Sequence, residues 1–142
     1  MFAVTTATVS APIDKVWSVV ADHEGMAKWG PGRGLNVTLT QEGSPDRNGV
    51  GAVRRLAPTV PGPAIVEQIT VFEPNKRLQY KAVSGVPLKD YFGDIELHEI
   101  PNGTEIVYRI SATERVKVVE QLACKAISFT LLKLLVQQVN RG

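Results

Sequence analysis

The sequence predicts an α+β domain in the order strand, two short helices, six strands, one long helix. Three observations carry that order. The chain opens on a β-branched run, "FAVTTATVS". Six later strand-like segments are separated by turn residues. From Val116 to Asn140 no Gly or Pro appears. At 142 residues the chain is one domain, 1–142, and can bury a core of its own.

Each element has a local reason. "FAVTTATVS" is rich in residues that fit a pleated surface. "APIDKVWSVVAD" changes period: Pro12 suits a first helical turn, and Ile13, Val16, Trp17 and Val20 recur at helical spacing. That spacing assigns Trp17 to the core. Asp22 can cap a second short helix ending near Trp29. Strand-like runs follow near 35–41, 50–57, 64–73, 77–85, 90–99 and 104–113. The punctuation between them is "GSPDRNG", "PTVPGP", "EPNK", "SGVP" and "PNG". A helix of about 25 residues then closes the chain, about 37 Å long at 1.5 Å per residue.

Composition narrows the partners. A net charge of +2 without a dense Lys/Arg run argues against nucleic acid, which needs a concentrated basic face. The N-terminus lacks the pattern of a signal peptide. The most apolar segment, "ISFTLLKLLV", is ten residues long and contains Lys133, so no transmembrane segment is expected. One cysteine, Cys124, excludes an internal disulfide and a cysteine metal site, and a cytoplasmic location is the default. No metal or cofactor is expected: His23 and His98 are the only histidines and do not form a spaced ligand set. His23 falls in the Asp22-His23-Glu24 turn, where the carboxylates suggest capping. Cys124 reads as a small buried residue.

The Gly-x-Gly of "DRNGVGAVRRL" raises the question of a phosphate loop. Such a loop needs glycines leading into a helix N-terminus. Here they lead into a strand, so a turn is the expectation.

The ordered set of "VSAPIDKVWSVVAD", Trp29 before "GPG", "VGAVRRL", "VEQITVFEPNKRLQYKAVSGVP", "YFGDIEL" and "NGTEIVYRISAT" resembles the START-like helix-grip superfamily (SRPBCC), in its polyketide cyclase/dehydrase-type branch. The resemblance implies a curved antiparallel seven-stranded sheet wrapped around the long C-terminal helix, with an apolar cavity between them. It does not imply one reaction.

The last hairpin tests whether such a cavity fits the residues. With Asn102-Gly103 at a two-residue turn, Pro101 faces Thr104, Leu97 pairs with Tyr108, Ile95 with Ile110 and Glu96 with Arg109. Tyr91, Gly93, Ile95, Leu97, Tyr108 and Ile110 then share one face, and Asp94, Glu96, His98 and Arg109 the other. Gly93 either permits a bend or leaves room for ligand. The helix offers Val119, Leu122, Ala123, Ala126, Ile127, Thr130 and Leu134 to the sheet. Small residues in its middle leave space beneath it. Its last stretch, "SFTLLKLLVQQV", is apolar nearly all round and reads either as buried under the short helices or as a homodimer contact or flap.

Arg54 and Glu67 fall on adjacent strands and occupy an Arg and a Glu position of the family pattern. They are the candidate catalytic pair: Arg54 to orient an oxyanion, Glu67 to move a proton. A plain cross-strand ion pair is the competing reading. Trp29, Arg54, Glu67, Tyr80, Tyr91, Tyr108 and Ile127 are the candidate ligand-binding residues, with the tyrosines as amphipathic walls and Trp29 at the mouth. The leading function is binding of a hydrophobic or aromatic, oxygen-bearing small molecule, whether lipid, polyketide or similar metabolite. The alternatives are a cyclase/dehydratase-type enzyme using the same cavity and an interaction module whose partner packs on the C-terminal helix.

Overall fold

The computed structural model describes residues 2–29, 35–59, 62–113 and 117–141. Strand β1 (Phe2–Val9) leads into helix α1 (Ile13–Ala21) and the short α2 (Met26–Trp29). Six strands follow: β2 (Asn36–Gln41), β3 (Val53–Ala57), β4 (Ile65–Glu73), β5 (Arg77–Ser84), β6 (Phe92–Ile100) and β7 (Gly103–Ser111). Helix α3 (Lys117–Arg141) ends the fold. The predicted element order holds throughout. Pro12 sits one residue earlier than expected, as the N-cap of α1. Asp22 accepts the Gly25 amide through Oδ1, the capping role assigned to it.

The strands form one antiparallel sheet in the order β1-β7-β6-β5-β4-β3-β2. Register shifts leave one extra residue on β2 between Leu39 and Gln41, on β4 between Ile69 and Val71, and on β5 between Ala82 and Ser84. Bulges of this kind bend a strand and increase its twist. The sheet holds α3 against β1 and β7, while α1 and α2 touch the helix and also the sheet, α1 at β6 and β7 and α2 at β2. Thr5 on β1 and Ser128 on α3 share a hydroxyl hydrogen bond of 2.7 Å across that contact.

The "DRNGVG" segment is a turn that leads into β3, as expected, and Gly51 takes φ +91°, a backbone conformation natural to glycine.

The last hairpin corrects the expected register. Ile100 pairs with Gly103, so Pro101 and Asn102 occupy the turn, with Asn102 at φ +66°. Asn tolerates that left-handed conformation well. The pairing therefore slides by two residues: Ile95 faces Tyr108, Leu97 faces Ile106 and Asp94 faces Arg109. A slide of two keeps every side chain on its face. Tyr91, Ile95, Leu97, Tyr108 and Ile110 are accordingly all buried. On the other face Arg109 bonds Asp94 at 3.2 Å and reaches Glu96 diagonally at 3.5 Å. Asp94 is buried even there, because Arg77 (2.6 Å) and Arg109 close over it.

The gripped face of α3 also differs from expectation. Cys124, Ser128, Leu131, Leu132, Leu135 and Val139 are buried, whereas Val119, Leu122 and Phe129 are exposed. Residues Gln121–Arg141 are long and apolar enough to cross a bilayer, a longer apolar stretch than the ten residues of "ISFTLLKLLV". The complete burial of Cys124, Leu135 and Val139 makes α3 the core helix of the sheet. The apolar C-terminal end is thus largely accounted for by packing within the chain, including contacts to α1 and α2. Trp17 is partly buried and packs edge-on against Phe72, with ring centroids 5.1 Å apart.

Candidate functional site

A cavity of about 380 Å³ lies between the sheet and the middle of α3. Its floor comes from Leu56 on β3, Ile65 and Glu67 on β4, and Tyr80 on β5. Met26 and Tyr91 close its sides, and Ala126, Ile127, Thr130 and Leu131 form its roof. The exposed members of the lining are Gly85, Pro87, Ala126 and Thr130, which places the mouth between the β5–β6 connection and α3. The small residues expected to leave room under the helix are Ala123, Cys124 and Ala126; of these, Ala126 reaches the cavity.

The wall is apolar except at one end, where a buried polar cluster begins. Arg54 and Glu67 are paired residues on β3 and β4. Arg54 Nε and Nη2 donate to the same carboxylate oxygen, Glu67 Oε1, at 2.9 and 2.8 Å. Both residues are almost fully buried. The third guanidinium nitrogen, Nη1, lies 3.3 Å from His23 Nδ1. The guanidinium carbon stands 4.7 Å from the centre of the Tyr80 ring, a cation–π arrangement. Tyr80 and Tyr108 share a hydroxyl hydrogen bond of 2.7 Å, and the Tyr91 ring lies 6.5 Å from that of Tyr80.

His23 is the member that the sequence did not reveal. The Asp22–Gly25 turn does cap the start of α2, but the imidazole itself is fully buried. Its Nε2 lies 2.7 Å from the Asn48 carbonyl oxygen. The carbonyl can only accept and the guanidinium can only donate, so Nε2 carries the proton and Nδ1 accepts from Arg54. Burial and the adjacent Arg54 charge lower the pKa of this histidine to about 4, so the ring is neutral at pH 7. Nothing local marks His23 for this position; it lies 31 residues from Arg54 in sequence.

Electrostatics follow from burial. Burial pushes the Glu67 carboxyl up from its ordinary value, and the Arg54 guanidinium pulls against it. Burial opposes the charge on Arg54, but Glu67 and the tyrosines more than offset it, so Arg54 stays protonated. Burial also raises all three phenols, which therefore remain neutral donors.

Of the seven candidate ligand-binding residues, Glu67, Tyr80, Tyr91 and Ile127 line the cavity. Arg54 and Tyr108 stand one layer behind it, bonded to Glu67 and Tyr80 respectively. Trp29 is buried and is not among the residues lining the cavity; it lies beside Ser18, Asp22, Lys28 and Gln138 in a separate depression. Its indole Nε1 finds no hydrogen-bond partner among the described residues. Gly93 leaves room for protein and not for ligand: a Cβ there would collide with the Tyr80 ring and hydroxyl. His98 is exposed on the outer face near Glu96, at 3.4 Å. Among the described residues no group of His, Cys, Asp and Glu has the arrangement of a metal site.

A long helix gripped by a seven-stranded antiparallel sheet, with an apolar cavity between them, is the helix-grip fold. The chain belongs to the family described as polyketide cyclase/dehydrase and lipid transport, whose model matches residues 1–133. Among solved structures, it resembles a START superfamily protein from Mycobacterium smegmatis, with a TM-score of 0.78 at 17% identity over 99% of this chain and 97% of that one. It also resembles protein MLL2253 from Mesorhizobium loti, with a TM-score of 0.77 at 18% identity over 100% and 98% of the two chains. DynU16, a protein of the dynemicin biosynthetic locus, matches with a TM-score of 0.74 at 19% identity. This chain aligns over 98% of its own length but spans only 47% of DynU16. No curated protein matches the sequence.

Proposed function

We propose that the protein binds a hydrophobic or aromatic, oxygen-bearing small molecule in the cavity beneath α3. The observation that carries this reading is the shape and chemistry of that cavity: about 380 Å³, apolar along its length, with Glu67 and the Tyr80 and Tyr91 phenols at one end. Small-molecule sites typically combine such an apolar wall with a few convergent polar groups. The family description, which includes lipid transport, supports the same ligand class. A cytoplasmic location is the default for a sequence with one cysteine, which cannot form an internal disulfide.

A second reading is a cyclase- or dehydratase-type enzyme. It is favoured by Glu67, a carboxyl that lines the cavity and whose pKa is raised by burial, as suits proton transfer to or from a bound oxygen. Arg54 would then position Glu67 and hold its charge. The exposed Val119, Leu122 and Phe129 on α3 support a protein contact, and one similar structure is the solution dimer of Aha1 from Colwellia psychrerythraea.

Titration with an apolar fluorescent probe tests the binding reading. Saturable binding to the wild type is expected, with a loss of at least about tenfold in Ile127→Trp, whose indole fills the cavity from the roof. Circular dichroism checks that the variant is folded. Unchanged affinity in a folded Ile127→Trp would place the probe elsewhere.

A further inference from the structure

The polar end of the cavity has an unusual balance of donors and acceptors. All hydrogen bonding from Arg54 to Glu67 converges on Oε1. Among the described residues, none donates to Glu67 Oε2, although the carboxylate lines an otherwise apolar space. The nearest cation, Arg54, is not among the lining residues: it stands behind Glu67, held by Glu67 through Nε and Nη2, by His23 through Nη1 and by the Tyr80 ring on its face. Among the described lining residues there is no Lys, Arg or His. The Tyr80 hydroxyl is engaged by Tyr108, and the hydroxyl of Tyr91, the other phenol in the lining, is engaged by Tyr80. A bound molecule therefore meets an acceptor that needs a donor, and meets no cation that could balance an anion. An unmet acceptor in an apolar site is costly, and so is a second negative charge beside the first.

Resting on the cavity-binding reading above, we infer that the ligand is a neutral apolar molecule with a hydroxyl group that donates to Glu67 Oε2, and that the matching carboxylate is rejected. The hydroxyl proton stays with the ligand; the contact is a hydrogen bond and transfers nothing. Hydrogen bonds to charged groups contribute more than neutral ones, so the selection is large enough to measure.

Three probes of one ring system test this on the wild-type protein at pH 7: 2-naphthol, 2-methoxynaphthalene and 2-naphthoate, each titrated by calorimetry. The naphthol is expected to bind at least about tenfold more tightly than either of the others, because only it offers a neutral donor. Equal affinity of naphthol and the methoxy compound overturns the inference, since no donor would then be read. Equal or tighter binding of the naphthoate overturns it as well, since a cation would then reach the ligand. Both of those results leave the cavity-binding reading standing. If none of the three binds saturably to folded protein, the cavity-binding reading falls and this inference falls with it. Glu67→Gln adds a second readout: where it folds, the naphthoate is expected to gain affinity as the repelling charge is removed. A naphthoate affinity unchanged in folded Glu67→Gln contradicts a role for that carboxylate.

Discussion

His23 shows how much of the site depends on one uncharged ring. Its pKa is lowered to about 4 from 6.5 by burial and by Arg54. The unfolded chain therefore takes up a proton between those values that the folded chain does not. The resulting stability is complete above about pH 6.5 and is lost as pH falls towards 4, amounting to about 3 kcal/mol. Denaturant midpoints measured from pH 7 to pH 4 are expected to fall in the wild type and to fall less in His23→Phe. That variant starts about 1–3 kcal/mol lower at pH 7, because Arg54 Nη1 loses its acceptor. Gly93 makes a second case at this scale. Gly93→Ala is expected to displace the Tyr80 ring, whose hydroxyl occupies the space of the missing Cβ. A cost of about 1–3 kcal/mol in denaturant unfolding is the expected outcome, as for other overpacked sites. The pairing of Arg54 with Glu67 was readable because the two lie on consecutive strands joined by one loop. His23 was not, because it reaches the pair from a turn between helices, and only tertiary packing brings it there.

At the scale of elements, the hairpin and the long helix show why faces were easier to read than partners. Alternation in β6 and β7 has a period of two, so the apolar sets identify the buried face whichever even register is taken. Only the turn chooses among those registers. "IPNGT" offers two turns, and the one adopted puts Asn102 at positive φ with Gly103 opening β7. Helix α3 is apolar on nearly every side, so its periodicity did not single out the gripped stripe. Packing chose Cys124, Ser128, Leu131, Leu135 and Val139, leaving Leu122 in solvent. Leu135→Ala is therefore expected to cost about 2–5 kcal/mol, as large-to-small core changes do. Leu122→Ala is expected to stay within about 0.5 kcal/mol. Chemical denaturation of the two variants measures both; comparable losses would mean that the helix is rotated from the position described.

At the scale of the molecule, one sheet performs two tasks. Towards β1 and β7 it packs α3 closely, with Leu135 and Val139 fully buried. Towards β3, β4 and β5 the middle of the helix stands clear of it, and the cavity lies there. The buried Arg54–Glu67–His23 cluster and the Tyr80–Tyr108 pair border this open half. Breaking a buried ion pair is costly, so the cluster serves the fold as well as presenting Glu67 to the cavity. The central claim is that the space beneath α3 receives a small apolar molecule. The most direct measurement is a methyl NMR titration with 2-methoxynaphthalene, which has no charge and no hydroxyl donor. Saturable shifts are expected at Met26, Ile65, Val86, Ile127 and Leu131, which line the cavity. Shifts confined to Val119 and Leu122 on the exposed side of α3, or no shifts at all, would contradict it.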